Sequence, residues 1–135
     1  MQFVDTNIFL RFLTNDDPVK ARKCFDLFEN ARLGKIKLQT TESVLTEVVY
    51  ILSSKKLYAL SPKEIYERIL PMIKIKTLKI LNKKTLLRAF QLYIRYKLDI
   101  EDSILLAQME DGRVKEIFSY DRGFDKVAEI KRLEP

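Results

Sequence analysis

The sequence predicts an α/β fold in which a parallel sheet is covered by helices on both faces. Two patterns carry that reading. Short apolar runs with strand character alternate with longer runs of helical periodicity, the order expected of βα units. The helical runs also open on cap residues, so the alternation is punctuated where it should be. Hydrophobic residues make up 47% of the 135, with only 3 Gly and 4 Pro, which suits one packed domain spanning 1–135 and argues against disorder.

Residues 2–4 read as a short buried strand, and Asp5-Thr6-Asn7 then opens a helix over about 6–14. A second helix over about 17–32 carries Ala21, Cys24, Phe25, Leu27 and Phe28 and ends near Gly34. Lys35 to Gln39 alternates at period two, as a strand does. Thr40-Thr41-Glu42-Ser43 starts a helix to about Ser54. Ser61-Pro62-Lys63-Glu64 is a capping box with Pro at the first helical position, starting a helix to about 72. Ile73 to Leu81 reads as a strand, Asn82 to about Lys97 as a helix, and Asp99 opens a helix to about Met109. Ile117-Phe118-Ser119-Tyr120 reads as a buried strand, followed by a helical turn after Asp121 and a last strand over Glu129 to Leu133.

Composition narrows the chemistry. There is no His, which excludes a Ser-His pair and a His-ligated zinc. Hydrolysis must then rest on carboxylates, lysines or hydroxyls, and clustered carboxylates suit a hard cation such as Mg²⁺ or Mn²⁺. The single Cys24 gives no internal disulfide and reads as a small buried hydrophobe. No signal-peptide pattern or membrane-length apolar run is visible, and the chain reads as cytoplasmic. The net charge of +6 favours an acidic partner, nucleic acid first, although a solvated lysine-rich surface explains charge equally well.

Four acids stand out by position. Asp5 ends the first strand signal, where it also fits a helix N-cap. Glu47, in SVLTEVVYIL, shares a helix face with Val44 and Ile51, placing it on or beside the buried stripe. Asp102, in LDIEDSILLAQM, has capping-box spacing from Asp99, yet Leu105, Leu106 and Met109 lie on its face and point it along the core side. Asp121 ends a strand signal much as Asp5 does, with a turn or cap as the simpler explanation. Each acid has a bland account. Together they are two strand-end acids and two inward-facing helix acids, which a parallel sheet can bring to one cleft at its strand carboxyl ends. Carboxylates gathered there without a cation would repel and raise one another's pKa values.

VDTNIFLR, VLTEVVYIL, DIEDSILLAQ and SYDRGF, in this order and at these separations, resemble the motifs of PIN-domain ribonucleases, most closely the small VapC-type toxins of toxin–antitoxin pairs. The resemblance runs from residue 2 to the Leu133-Glu134-Pro135 end. It implies a three-layer α/β/α sandwich with a central parallel sheet and an endoribonuclease that uses one or two Mg²⁺ or Mn²⁺ ions. By position it makes Asp5, Glu47, Asp102 and Asp121 catalytic, metal-holding acids, with Asp99, Asn7 and Ser119 in supporting roles. Ile100, Ser103 and Ser119 stand where relatives more often carry Phe, Ala and Thr. It also implies an RNA substrate, a homodimer and a small antitoxin partner.

Arg11 and Arg122, close in sequence to Asp5 and Asp121, are the candidate phosphate contacts. Lys74, Lys76, Lys79, Lys83 and Lys84 cluster around one strand and the next helix start, where protection of a strand edge is the favoured explanation. Two other classes remain open. One is a PIN-like fold that binds RNA without chemistry. The other is a different strand-end carboxylate domain, such as a receiver or an Asp-nucleophile phosphatase. Asn7 stands where such a phosphatase places its second Asp, and a receiver's late strand-end Lys has no counterpart at Ser119-Tyr120-Asp121.

Overall fold

Local signals act as the sequence predicts at most helix starts. The structure, a computed structural model, describes residues 1–135 as two compact units, Met1–Lys83 and Lys84–Pro135. The chain is mixed α/β, with six α-helices and exclusively parallel strand pairing.

The first unit runs β1 (Gln2–Phe3), α1 (Thr6–Thr14), α2 (Pro18–Arg32), β2 (Leu38–Thr40), α3 (Glu42–Ser53), α4 (Pro62–Ile73) and β3 (Leu78–Ile80). Its sheet has the order β1-β2-β3, with Gln2 opposite Leu38 and Leu38 opposite Leu78. Val4 extends the ladder by donating its N–H to Gln39 O at 2.8 Å. Ser61 caps α4 through the full capping box: its hydroxyl accepts from Glu64 N, and the Glu64 carboxylate accepts from Ser61 N. The core of the unit includes Phe9, Phe28, Leu38, Leu45, Val48, Leu52, Ile65, Ile69 and Leu78. Phe9 and Phe12 each meet Phe28 with ring centres 5.3 Å apart, joining α1 to α2. Cys24 is buried and unpaired, and burial pushes its thiol up.

The second unit contains α5 (Lys83–Tyr96, opening at the boundary), α6 (Ile100–Gly112), β4 (Glu116–Phe118), a 3₁₀ turn (Arg122–Lys126) and β5 (Lys131–Leu133). β4 and β5 pair in parallel, Ile117 opposite Arg132, with residues 119–130 as the crossover that parallel pairing demands.

Three strand expectations are corrected. β2 begins at Leu38, not Lys35, because α2 ends in a Schellman motif that uses up Gly34 and Lys35. Lys35 N donates to Asn30 O, and Gly34, at φ +77°, donates to Ala31 O. β3 spans Leu78–Ile80 rather than Ile73 to Leu81, since α4 continues to Ile73 and turn bonds from Ile75 N to Met72 O and from Leu78 N to Ile75 O follow. The strands expected to be buried at 2–4 and 117–120 are not buried throughout. Val4 is covered, but Phe3, Phe118 and Tyr120 are about 70% exposed. Within the units, β1 pairs only with β2 and β4 only with β5, so each has one bonded neighbour. α6 also runs a turn beyond Met109, to Gly112, and stops where Arg113 takes the left-handed conformation.

Candidate active site

Each unit holds two of the four acids. In the first, Asp5 follows β1 and caps α1, its Oδ1 accepting from Ile8 N at 3.3 Å. Its position is fixed from behind: buried Thr40 donates its hydroxyl to Val4 O at 2.9 Å, pinning Val4, the residue between β1 and Asp5, to β2. Glu47 lies on α3 beside the buried stripe of Leu45, Val48, Val49 and Leu52, and its own side chain is exposed. The hydroxyl of buried Thr6 donates to Glu47 Oε2 at 2.8 Å. The residue next to Asp5 in the chain thus holds the second acid of this unit. Asn7 is exposed on the first turn of α1.

In the second unit, Asp99 caps α6, its Oδ1 accepting from Asp102 N at 2.8 Å. The return bond of a capping box does not form, so the Asp102 carboxylate is not tied into the cap. Asp102 is half-buried; of the face predicted for it, Leu106 and Met109 are buried while Leu105 is 40% exposed. Burial first, and then the charges of Asp99, Asp121 and Glu101, push the Asp102 carboxyl up to about 6. Asp121 is exposed and caps the 3₁₀ turn, its Oδ1 accepting from Gly123 N at 2.8 Å. The Ser119 hydroxyl accepts from Asp121 N at 3.0 Å, in keeping with the supporting role expected of it.

Two further residues shape this loop and escaped sequence reasoning. A Cβ at Gly123 would sit 3.0 Å from Asp121 Oδ1 and 2.9 Å from Leu98 Cδ2, so only glycine leaves the Asp121 carboxylate where it is. Arg132 donates to Asp125 at 3.0 Å, to Glu134 at 2.6 Å and to Ser119 O at 2.9 Å, locking the turn onto β5. Thr6 and Thr40 escaped it as well; a threonine beside a strand-end acid was the available signal. Of the arginines, Arg122 is exposed next to Asp121. Arg11 lies in the last turn of α1, and its charge is felt at Cys24 and Tyr58.

Nowhere in the chain are three or more Asp, Glu or Cys side chains gathered closely enough to hold a metal ion. The donor chemistry nevertheless suits one. Every predicted ligand is a carboxylate, the hard oxygen set that Mg²⁺ and Mn²⁺ take. Asp102 carries the strain that a cation would relieve, a half-buried carboxylate pressed by neighbouring acids.

The PIN domain profile matches residues 3–130. This chain belongs to the PIN domain family. The match spans nearly all of both units, and six helices with parallel strands are the elements of that family's three-layer α/β/α fold. PIN domains are generally nucleases, usually metal-dependent ribonucleases. No curated protein matches this PIN domain. No helix of it is long and apolar enough to cross a membrane.

Proposed function

We propose that this PIN domain is a divalent-metal-dependent endoribonuclease, the toxin of a toxin–antitoxin pair, and that residues 1–135 form one nuclease domain. The observation that supports it best is Asp102. Within the matched residues, a half-buried carboxylate is left outside the helix cap and is pushed up by burial first and then by Asp99, Asp121 and Glu101. A cap residue has no need of that arrangement; a cation ligand does.

Asp5, Glu47 and Asp102 would hold one or two Mg²⁺ or Mn²⁺ ions, directly or through water, with Asp121 completing the set or orienting the attacking water. Bound there, the metal lowers the pKa of water and neutralises charge on the phosphate. The carboxylates supply negative charge to the cation and accept the proton of the attacking water. Water would add to phosphorus as the bond to the 3′ oxygen breaks, the departing oxygen would take up a proton to become the 3′-hydroxyl, and the other product would be a 5′-phosphate. Thr6 orients Glu47, and Asp99 and Ser119 hold the backbones that carry Asp102 and Asp121. Arg122, exposed next to Asp121 in the chain, would meet a phosphate there. As a toxin it would act in the cytoplasm, as a homodimer, restrained by a small antitoxin protein.

The test is cleavage of end-labelled total RNA by the purified protein with Mg²⁺, with Mn²⁺ and with EDTA, beside Asp5→Asn. Discrete cuts that need the metal and vanish in the variant are expected; cuts that survive EDTA or the substitution would defeat the assignment. A second reading, RNA binding without chemistry, is favoured by the absence of a gathered three-acid group. It predicts RNA binding indifferent to divalent ions and no metal-dependent cuts.

A further inference from the structure

The lysine cluster around β3 divides into two roles. Lys83 turns inward: its Nζ donates to Leu78 O at 2.8 Å and Ile75 O at 3.2 Å, and burial lowers its pKa. β3 is the edge strand of the first unit's sheet, so Lys83 satisfies backbone carbonyls beside an otherwise open edge. Edge protection therefore accounts for Lys83. Lys79, exposed on β3, serves the same end, but Lys37 and Lys76 lie outside the edge strand, and all three are exposed and make none of the chain's ion pairs.

These three lysines, with Thr77 and Lys83, line an open pocket of about 430 Å³ to which no Asp or Glu contributes. Its place in the topology is informative. Lys37 immediately precedes β2, Lys76 and Thr77 precede β3, and Leu78, Lys79 and Ile80 of β3 complete the lining, so the pocket runs along the β3 edge of the sheet. Asp5 follows the edge strand β1, while the unpaired cations lie along β3, the opposite edge of the same sheet.

We propose that the pocket formed by Lys37, Lys76 and Lys79 is a second docking site for an RNA backbone, separate from the catalytic carboxylates. The inference takes its ligand class from the ribonuclease reading. Lysine ammonium groups are mobile point charges that suit phosphate oxygens, and three without acidic partners are free to displace counterions from a polyanion. No aromatic side chain lines the pocket, so bases do not stack there. The site reads charge and not sequence: it retains a substrate strand without choosing the bond to be cut.

The experiment is fluorescence anisotropy of a labelled single-stranded RNA oligomer in EDTA, so that no cutting occurs, over a range of salt. It compares the wild type with the combined Lys37→Ala, Lys76→Ala and Lys79→Ala variant and the matching triple Lys→Arg variant. Lys83 is kept because it is tied into the backbone. The alanine variant should bind about tenfold or more weakly and lose about 2 from the slope of log affinity against log salt, at ~0.7 per single-strand phosphate contact. The arginine variant should bind like the wild type. Equal affinity and slope in the alanine variant would overturn the proposal, as would poly-glutamate competing as well as RNA, which would assign the pocket to an acidic protein segment. Metal-dependent cleavage without lysine-dependent binding sinks only this inference. Lysine-dependent binding without cleavage sinks only the nuclease reading.

Discussion

Three of the four acids are held by donors and one is not: Asp5, Glu47 and Asp121 each accept a hydrogen bond, and Asp102 does not. In the first unit, Asp5 accepts a cap bond and Glu47 accepts a threonine hydroxyl, so both are settled by donors that the protein supplies. In the second, Asp102 receives no such bond, and burial first, then the charges of Asp99, Asp121 and Glu101, push its carboxyl up to about 6. The difference teaches where a cation is needed. A carboxylate pressed by burial and by other acids keeps its proton to higher pH, and a cation beside it would favour its charged form. On the proposed reading, Asp5 and Glu47 would be ligands already oriented by donors, and Asp102 would be the one whose charge a cation relieves.

Asp102→Asn should sharpen this contrast most. Cleavage should fall by more than the ~10–100-fold typical of losing an outer-shell partner. The metal-free fold should become more stable, since a neutral amide removes a destabilising charge. Asp102 has a folded pKa of about 6 against an ordinary 3.8, so the fold binds its proton more tightly than the unfolded chain does. The stability this proton contributes is present below the ordinary value and lost as pH rises through about 6. Thermal melts across that range should show the loss in the wild type and not in Asp102→Asn.

Asp5 should behave differently. Asp5→Asn keeps a cap residue and should lose cleavage with little change in stability, while Asp5→Ala should lose cleavage and about 1 kcal/mol of stability as well, measured by denaturant unfolding. Should both variants keep cleaving, Asp5 is only a cap. Next in size is Thr6→Val, which removes the donor to Glu47. A fall in cleavage of about 10–100-fold, with the metal requirement shifted to higher concentration and rescue by Thr6→Ser, would mark Thr6 as a positioning residue. An unchanged metal requirement would leave it structural. The smallest effect should come from Gly123→Ala, where the added Cβ presses on Asp121 and Leu98. It should cost about 1–3 kcal/mol of stability, typical of overpacking, and lower cleavage only several-fold.

Helices were legible in the sequence because their signals are local. Asp5, Asp17, Thr41, Ser61 and Asp99 all cap the helices that follow them. Strands were less legible, because length and cover depend on neighbours: β3 was read too long and β4 too buried. The acids were legible as a set only through their order and spacing. Their holders were not. Thr6 reaches Glu47 across 41 positions, Thr40 reaches Val4 across 36, and Arg132 reaches Ser119 across 13. Such pairings depend on the folded path of the chain and leave no periodic trace.

The most direct test of the account is calorimetric titration of Mn²⁺ into the wild type, Asp102→Asn and Asp5→Asn. The account predicts that the wild type binds the ion and that both substitutions abolish or greatly weaken binding, with Asp102→Asn nonetheless the more heat-stable apo protein. Mn²⁺ binding in Asp102→Asn equal to that of the wild type would contradict it.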